Sequence, residues 1–166
     1  MISKKMTEEL NKQINKELYS AYLYQSMSYY LQFINLPGMA NWMEVQGKEE
    51  VTHAERIAAY VQDQGGHVVL EALDKPPSTF KSPLEIFEKS VEHEKFITAS
   101  INALVALAQK EADNATFAML QWFVTEQVEE EKNPTDILAK LKMIGEGHMG
   151  ALLYIDKELK KREFKA

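Results

Sequence analysis

The apolar residues of this chain recur with a 3.6-residue period, and the period persists through four stretches of roughly 25 residues each. In the first stretch, one helical face carries Leu10, Ile14, Leu18, Ala21, Tyr24 and Leu31. No segment shows the alternation that is typical of a half-buried strand. Only 7 glycines and 5 prolines interrupt the 166 residues, so long helices can form with few turns. The period therefore predicts an all-α fold.

Turn and capping residues predict where these helices begin and end. We expect helices over about residues 5–34, 39–64, 83–110 and from 114 onward, with a short fifth helix over about 146–162. Pro76 and Pro77 exclude a helix from the connection over residues 66–82. Fully extended, that connection reaches roughly 56 Å, which exceeds the ~38 Å length of one helix. The lengths favour a four-helix bundle with one long crossover, although a plain up-down bundle also satisfies them.

Each long helix carries an acidic residue on the face that should be buried, namely Glu17, Glu50, Glu94 and Glu130. His53 follows Glu50 by three residues and therefore lies on the same side of its helix. Counted from the predicted helix ends, the four glutamates lie about 16–24 Å along the bundle, near its middle. Since an unpaired buried carboxylate costs several kcal/mol, these side chains must share counter-cations.

Two divalent cations would balance four carboxylates, which a single histidine cannot do. Carboxylate oxygens with one imidazole favour iron or manganese, and glutamates combined with a Glu-x-x-His motif form most of the di-iron carboxylate pattern. The fourth helix lacks the second Glu-x-x-His, because it reads Gln127-Val128-Glu129-Glu130. We therefore expect two unequal positions that share Glu50, one with Glu17 and His53 and the other with Glu94 and Glu130.

Two further features surround this cluster in the fourth helix. Glu126, Glu129 and Glu130 form an acidic patch that Glu49 could face, and it is either an exposed helix face or a third, looser iron position. Pro134 cannot donate a hydrogen bond to the carbonyl of Glu130. We therefore predict a kink or break of the fourth helix at residues 131–134.

Composition limits the classes of function. The net charge of −6 argues against general binding to nucleic acid or anionic membranes. No apolar run approaches the ~20 residues of a membrane span, and no signal-peptide pattern precedes the polar start. The absence of cysteine excludes disulfides and iron–sulfur clusters. We expect one domain over residues 1–166 in a cytoplasmic protein.

Four segments resemble, in order, the long helices of a non-haem prokaryotic ferritin. They are NKQINKELYSAYLYQSMSYY, GMANWMEVQGKEEVTHAERI, EHEKFIT and LQWFVTEQVEEE, and ALLYIDKEL resembles that family's short fifth helix. The resemblance implies a ferritin-like bundle with one long crossover and a short C-terminal helix. It also implies oxidation of Fe(II) by O₂ or H₂O₂ and storage of Fe(III) mineral in a cage of 24 subunits.

The same resemblance implies roles for individual residues. The ferroxidase centre would consist of Glu17, Glu50, His53, Glu94, Gln127 and Glu130, and a third iron site of Glu49, Glu126 and Glu129. Tyr24 would hydrogen-bond near the centre or donate an electron. The related bacterioferritins have a haem-ligating methionine one residue before the histidine of the first motif. Thr52 stands there in this chain, so no haem is expected.

Two other functions remain open for these residues. A di-iron oxygenase or peroxidase would need an access pocket beside the site, of which Tyr22, Tyr24 and Trp122 leave little sign. A storage shell with a degenerate centre would not require the intact glutamates and His53. Assembly in either case needs exposed apolar surface, for which the candidates are Met39, Trp42, Tyr29, Tyr30, Leu152, Leu153 and Ile155.

Overall fold

The computed structural model describes residues 2–145 and 147–164, and these form helices without any strand. The helices are α1 (Lys4–Phe33), α2 (Pro37–Asp63), α3 (Pro83–Lys110), α4 (Asn114–Ile144) and α5 (Met149–Leu159). α1 packs along α2, α3 packs along α4, and α5 lies against α2. The predicted four-helix bundle with a short fifth helix is confirmed.

The connection between α2 and α3 runs along the length of α1. At one end, the Asn11 side-chain amide donates to the carbonyl of His67 over 2.9 Å. Towards the other end, the Ser26 hydroxyl donates to the carbonyl of Pro77 over 2.6 Å. α3 therefore begins near the C-terminal end of α1 and runs parallel to α2. This path confirms the long crossover and rejects the plain up-down bundle.

Local capping explains where the helices begin. Ser3, Ser82 and Asp113 each accept a hydrogen bond from the backbone three residues later, at the starts of α1, α3 and α4. α2 begins at Pro37 and not at the expected residue 39, because proline is well suited to the first helical position. α5 is shorter than the predicted 146–162.

The core consists of two apolar clusters with a polar layer between them. One cluster lies at the end of the bundle that contains Met27, Met43 and Phe87. The other contains Ile14 and Phe123. In every long helix the acidic residue of the polar layer falls between the segments that supply the two clusters. The prediction that the four glutamates share one level near the middle of the bundle is confirmed.

Pro134 does not break α4, so the break that we predicted at residues 131–134 is contradicted. The helix is continuous from Asn114 to Ile144, and Pro134 is buried in one row with Glu130, Ile137 and Leu141. An interior proline costs about 3 kcal/mol, whereas burying two large aliphatic side chains gains roughly 1.5–3 kcal/mol each. Burial of the row therefore outweighs the missing hydrogen bond. A bend of the helix at this point stays a prediction.

α5 covers part of the surface that we expected to be exposed. Met39 is fully buried and Trp42 is 5% exposed, whereas Tyr29 and Leu153 are 67% and 51% exposed. The Asp156 carboxylate of α5 accepts a hydrogen bond of 2.8 Å from the backbone of Met39. No helix in the described part of the chain is long and apolar enough to cross a membrane.

Candidate metal centre

The structure brings the four predicted glutamates and His53 together inside the bundle. Glu17, Glu50 and Glu94 are each 1% exposed, and Glu130 and His53 are 4% and 3% exposed. Within the described residues, three groups present ligand atoms within 4.8 Å of one another: Glu17–Glu50–His53, Glu50–Glu94–Glu130 and His53–Glu126–Glu130. Glu50 belongs to the first two groups, so its carboxylate could bridge two cations.

His53 presents its two ring nitrogens to different carboxylates. Nδ1 lies 3.3 Å from Glu50 Oε2 on the same helix. Nε2 lies 3.9 Å from a carboxylate oxygen of Glu126 and 3.9 Å from one of Glu130, both on α4. The i, i+3 spacing of Glu50 and His53 thus gives the imidazole a partner on its own helix and leaves the other nitrogen facing α4.

Amides and one phenol hold these carboxylates in position. Gln13 donates to Glu17 over 2.8 Å, and Gln46 donates to both Glu50 (3.1 Å) and Glu130. Sequence reasoning missed Gln13 and Gln46. The available signal was their spacing, because each precedes a buried glutamate of its own helix by four residues.

Tyr24 and Gln127 both contact Glu94. The Tyr24 hydroxyl donates to Glu94 Oε1, and the Gln127 amide lies 3.3 Å from Glu94 Oε2 and 3.2 Å from the Thr98 hydroxyl. Gln127 is 4% exposed and so belongs to the polar layer. A groove of about 500 Å³ between α3 and α4 reaches Gln127, with Thr98 and Glu131 also in its lining.

Burial raises the pKa of all four carboxyls, and the charges of neighbouring glutamates raise it further for Glu50, Glu94 and Glu130. Burial is the largest cause of the raised pKa of Glu17, Glu50 and Glu94. Burial followed by the charge of Glu94 raises the pKa of Glu130 to about 8. Burial and the neighbouring Glu94 likewise raise the pKa of the Tyr24 phenol.

The donor set fits divalent metal ions. Among the described residues, Glu17 Oε2 is a buried oxygen without a hydrogen-bond partner. Such an orphaned acceptor costs about 1–3 kcal/mol unless another group binds it. Carboxylate oxygens with one imidazole are ligands that suit iron and manganese. Cations would satisfy the free oxygen and remove the repulsion among the four carboxylates.

The residues predicted for a third iron site are not gathered into one group. Glu126 faces His53, but Glu129 is exposed. Glu49 accepts a hydrogen bond from the Arg162 guanidinium. Burial raises the pKa of Glu49, and the charge of Arg162 opposes that change.

Trp122 and His93 lie beside residues of the centre and contribute no ligand to the candidate metal groups of the described residues. The Trp122 ring lies 5.5 Å from that of His53 and 4.8 Å from that of Phe123. His93 bonds to the Ser20 hydroxyl over 2.7 Å, and burial lowers its pKa to about 4. Packing is therefore the role that the contacts of Trp122 and His93 support.

Comparison with known proteins places this geometry in a family. The ferritin-like domain family matches residues 7–144. The chain is 42% identical over 160 residues to a bacterial non-haem ferritin of Campylobacter jejuni, covering 96% of this chain and 95% of the relative. It is 39% identical over 162 residues to one from Bacteroides fragilis, covering 98% and 100%.

Solved structures agree with this result. An open-pore ferritin from the hyperthermophilic archaeon Archaeoglobus fulgidus superposes with a TM-score of 0.97 at 51% identity, covering 98% of this chain and 100% of that one. A humanized archaeal ferritin superposes with a TM-score of 0.98 at 49% identity over 100% of both chains. With its buried glutamate–histidine centre, the chain therefore belongs to the ferritin family, as a non-haem ferritin that stores iron and has ferroxidase activity.

Proposed function

We propose that this ferritin oxidises Fe(II) with O₂ at a di-iron centre inside each subunit. Glu17, Glu50 and His53 would hold one iron, and Glu50, Glu94 and Glu130 the other. The observation that carries the proposal is the meeting of four buried glutamates from four helices at one level, with Glu50 shared between two candidate groups. The positions are unequal, because only the first includes His53.

The protein contributes binding, orientation and charge to this reaction. Each Fe(II) loses one electron, and O₂ accepts both. The carboxylates favour the more highly charged Fe(III) product over Fe(II), because Coulomb attraction scales with charge and is strong in a buried site. Gln13, Gln46 and Tyr24 hold individual carboxylate oxygens and so limit the geometries that the ligands can adopt. Because burial and the charge of Glu94 raise the pKa of Glu130 to about 8, iron binding at Glu130 displaces a proton at neutral pH.

The family assigns a homo-oligomeric storage cage to this chain, and we propose that the cage has 24 subunits. The exposed apolar side chains of Tyr29 and Leu153 support contacts between subunits. A cytoplasmic location is part of the same proposal. Size-exclusion chromatography with light scattering measures the subunit number, and a dimer or a free subunit would contradict the cage of 24.

Stopped-flow absorbance tests the assignment of the centre. Metal-free protein is loaded anaerobically with two Fe(II) per subunit and mixed with O₂, and Fe(III) formation is followed in the ultraviolet. We expect Glu50→Ala to lower the rate to that of iron without protein, because both positions lose their shared ligand. Glu55→Ala is the matched control, since Glu55 is an exposed glutamate of the same helix. A Glu50→Ala protein as fast as the Glu55→Ala control would contradict the proposal.

A further inference from the structure

A chain of hydrogen bonds leads from the surface of the bundle to one oxygen of Glu17. The Lys16 ammonium donates to the Ser100 hydroxyl over 2.6 Å, and that hydroxyl donates to the Gln13 amide oxygen over 2.5 Å. The Gln13 NH₂ group then donates to Glu17 Oε1 over 2.8 Å. Ser100 lies on α3 and the other residues lie on α1. We call Lys16, Ser100 and Gln13 the α1–α3 relay.

The direction of every bond in the relay follows from the ammonium at its outer end. A lysine ammonium has three donor hydrogens and no acceptor, so the Ser100 oxygen must accept from Lys16. The hydroxyl hydrogen is then available to the Gln13 oxygen, which turns the Gln13 NH₂ group towards Glu17. In the opposite orientation, the amide oxygen of Gln13 would face the Glu17 carboxylate, and two acceptors would repel each other.

The two ends of the relay lie in different surroundings. Gln13 and Glu17 are each 1% exposed, whereas Lys16 and Ser100 are half-buried. A groove of about 230 Å³ between α1 and α3 reaches Gln13, Lys16 and Ser100. Water in this groove could replace the ammonium, but a water molecule accepts hydrogen bonds as readily as it donates them. A pure donor such as Lys16 is therefore needed to impose one direction on the relay.

Lys16 is held in place by a second residue of α3. Its ammonium lies 5.5 Å from the centroid of the Phe96 ring, within the range of a cation–π contact. Phe96 precedes Ser100 by four residues, so both side chains lie on one face of α3. The two contacts together favour a single position of the ammonium.

The relay leaves the second oxygen of Glu17 free. Among the described residues, Glu17 Oε2 is buried without a hydrogen-bond partner, whereas Gln13 holds Oε1. Glu17, Glu50 and His53 offer ligand atoms within 4.8 Å of one another. A carboxylate with one oxygen fixed by a neighbour is oriented to bind a cation through the other oxygen.

We propose that Lys16 and Ser100 are positioning residues of the metal centre. By orienting Gln13, they present Glu17 Oε2 to the cation at the position that includes His53. The inference deepens the proposed function and rests on its two-ion centre. Neither Lys16 nor Ser100 is a ligand, so replacing them leaves every candidate ligand in the chain. Their replacement frees the Gln13 amide to turn.

Binding of Co²⁺ to the metal-free protein tests this role separately from iron oxidation. Co²⁺ follows Fe²⁺ in the Irving–Williams order, and its visible absorption changes with the geometry of its ligands. A spectroscopic titration therefore reports both the affinity and the coordination of each ion. We expect two ions per subunit in the wild type. In Lys16→Met and in Ser100→Ala, one ion should bind about tenfold more weakly, with an altered absorption band, because Glu17 loses an oriented hydrogen bond.

The double variant Lys16→Met with Ser100→Ala distinguishes a relay from two separate effects. A chain of hydrogen bonds that is broken at one link loses its direction, so a second break should add nothing. The double variant should bind the weakened ion with the affinity of either single variant. Ser100→Thr keeps the hydroxyl and should bind both ions within about twofold of the wild type. A Ser100→Thr protein as weak as Ser100→Ala would overturn the role of the hydroxyl.

Lys12→Met is the matched control for charge. Lys12 lies on α1, one turn before Lys16, but its ammonium is exposed and donates to Glu9 over 2.8 Å. This variant removes the same charge and leaves the relay intact. Both Co²⁺ affinities should therefore stay within about twofold of the wild-type values.

The outcomes separate this inference from the proposed function. Failure of two Co²⁺ ions to bind in the wild type would overturn the ligand assignment and this inference with it. Two tight ions with unchanged affinities in Lys16→Met and Ser100→Ala would overturn only the relay. A Lys12→Met protein weakened as much as Lys16→Met would do the same, because charge alone would then explain the loss. Losses that multiply in the double variant would also overturn the relay.

Discussion

Replacing Glu130 by glutamine should stabilise the metal-free protein, although it removes a candidate ligand. Glu130 is 4% exposed, and burial with the charge of Glu94 raises its pKa from 4.5 to about 8. Between those two values the folded protein holds a proton that the unfolded chain has lost. Stability must therefore fall as the pH rises from about 4.5 to about 8. Glutamine does not titrate, and its carbonyl oxygen can still accept the bond from Gln46.

The magnitude follows from the separation of the two pKa values. Each pH unit between the ordinary pKa and the solution pH lowers the free energy of unfolding by about 1.4 kcal/mol. Glu130 therefore lowers it by about 3 kcal/mol at pH 7. At pH 5 the same relation gives about 1 kcal/mol. We therefore expect Glu130→Gln to raise the free energy of unfolding by about 2 kcal/mol more at pH 7 than at pH 5.

Guanidinium denaturation of the metal-free protein at both pH values, with a chelator present, measures this difference. Glu129→Gln is the matched control, because Glu129 is the exposed neighbour on the same helix. Adding Zn²⁺ should then stabilise the wild type more than Glu130→Gln, since the variant has lost a ligand. Equal stabilisation by Glu130→Gln at pH 5 and pH 7 would refute the reasoning.

Three further substitutions test the packing by the same denaturation experiment. Pro134→Ala should raise the free energy of unfolding by about 1 kcal/mol, because the restored hydrogen bond to the Glu130 carbonyl outweighs the lost ring contacts. A lower free energy of unfolding in this variant would contradict the prediction. Asp156→Ala should lower the free energy of unfolding by about 2 kcal/mol, because the buried Met39 N–H loses its acceptor. An unchanged denaturation midpoint would contradict this and would show that water replaces the carboxylate. Gly38→Ala should destabilise the contact between α2 and α5, because its Cβ would lie 1.7 Å from the Asp156 carbonyl oxygen. A Gly38→Ala protein with the denaturation midpoint of the wild type would contradict this, because α5 could then move away from α2 at no cost.

Much of the candidate site could be predicted because its signals are local. A buried face in a helix repeats every 3.6 residues, so a glutamate on that face is conspicuous in the sequence. Helix length then gives its level along the bundle, which placed Glu17, Glu50, Glu94 and Glu130 together. Gln13 and Gln46 were missed, because a glutamine beside a glutamate is also common on exposed helix faces.

The break predicted at Pro134 failed because the outcome at this proline does not depend on a local signal alone. Its local signal, a missing hydrogen bond, is real, but the outcome depends on what the flanking residues bury. Ile137 and Leu141 both pack into the core and carry the helix through the proline. Propensity describes a helix in isolation, whereas tertiary burial decides whether the helix continues.

By itself, the sequence determined the four long helices, the polar layer and the donor set of the candidate metal centre, since each follows from spacings of three to seven residues. Only the tertiary structure decided that Asp156 of α5 binds the backbone of Met39, that α2 and α3 run parallel, and that Arg162 meets Glu49 from 113 residues along the chain. Contacts over such separations depend on how complete surfaces fit together. No periodicity within one segment specifies that fit, because the energy of each contact appears only after both surfaces have formed.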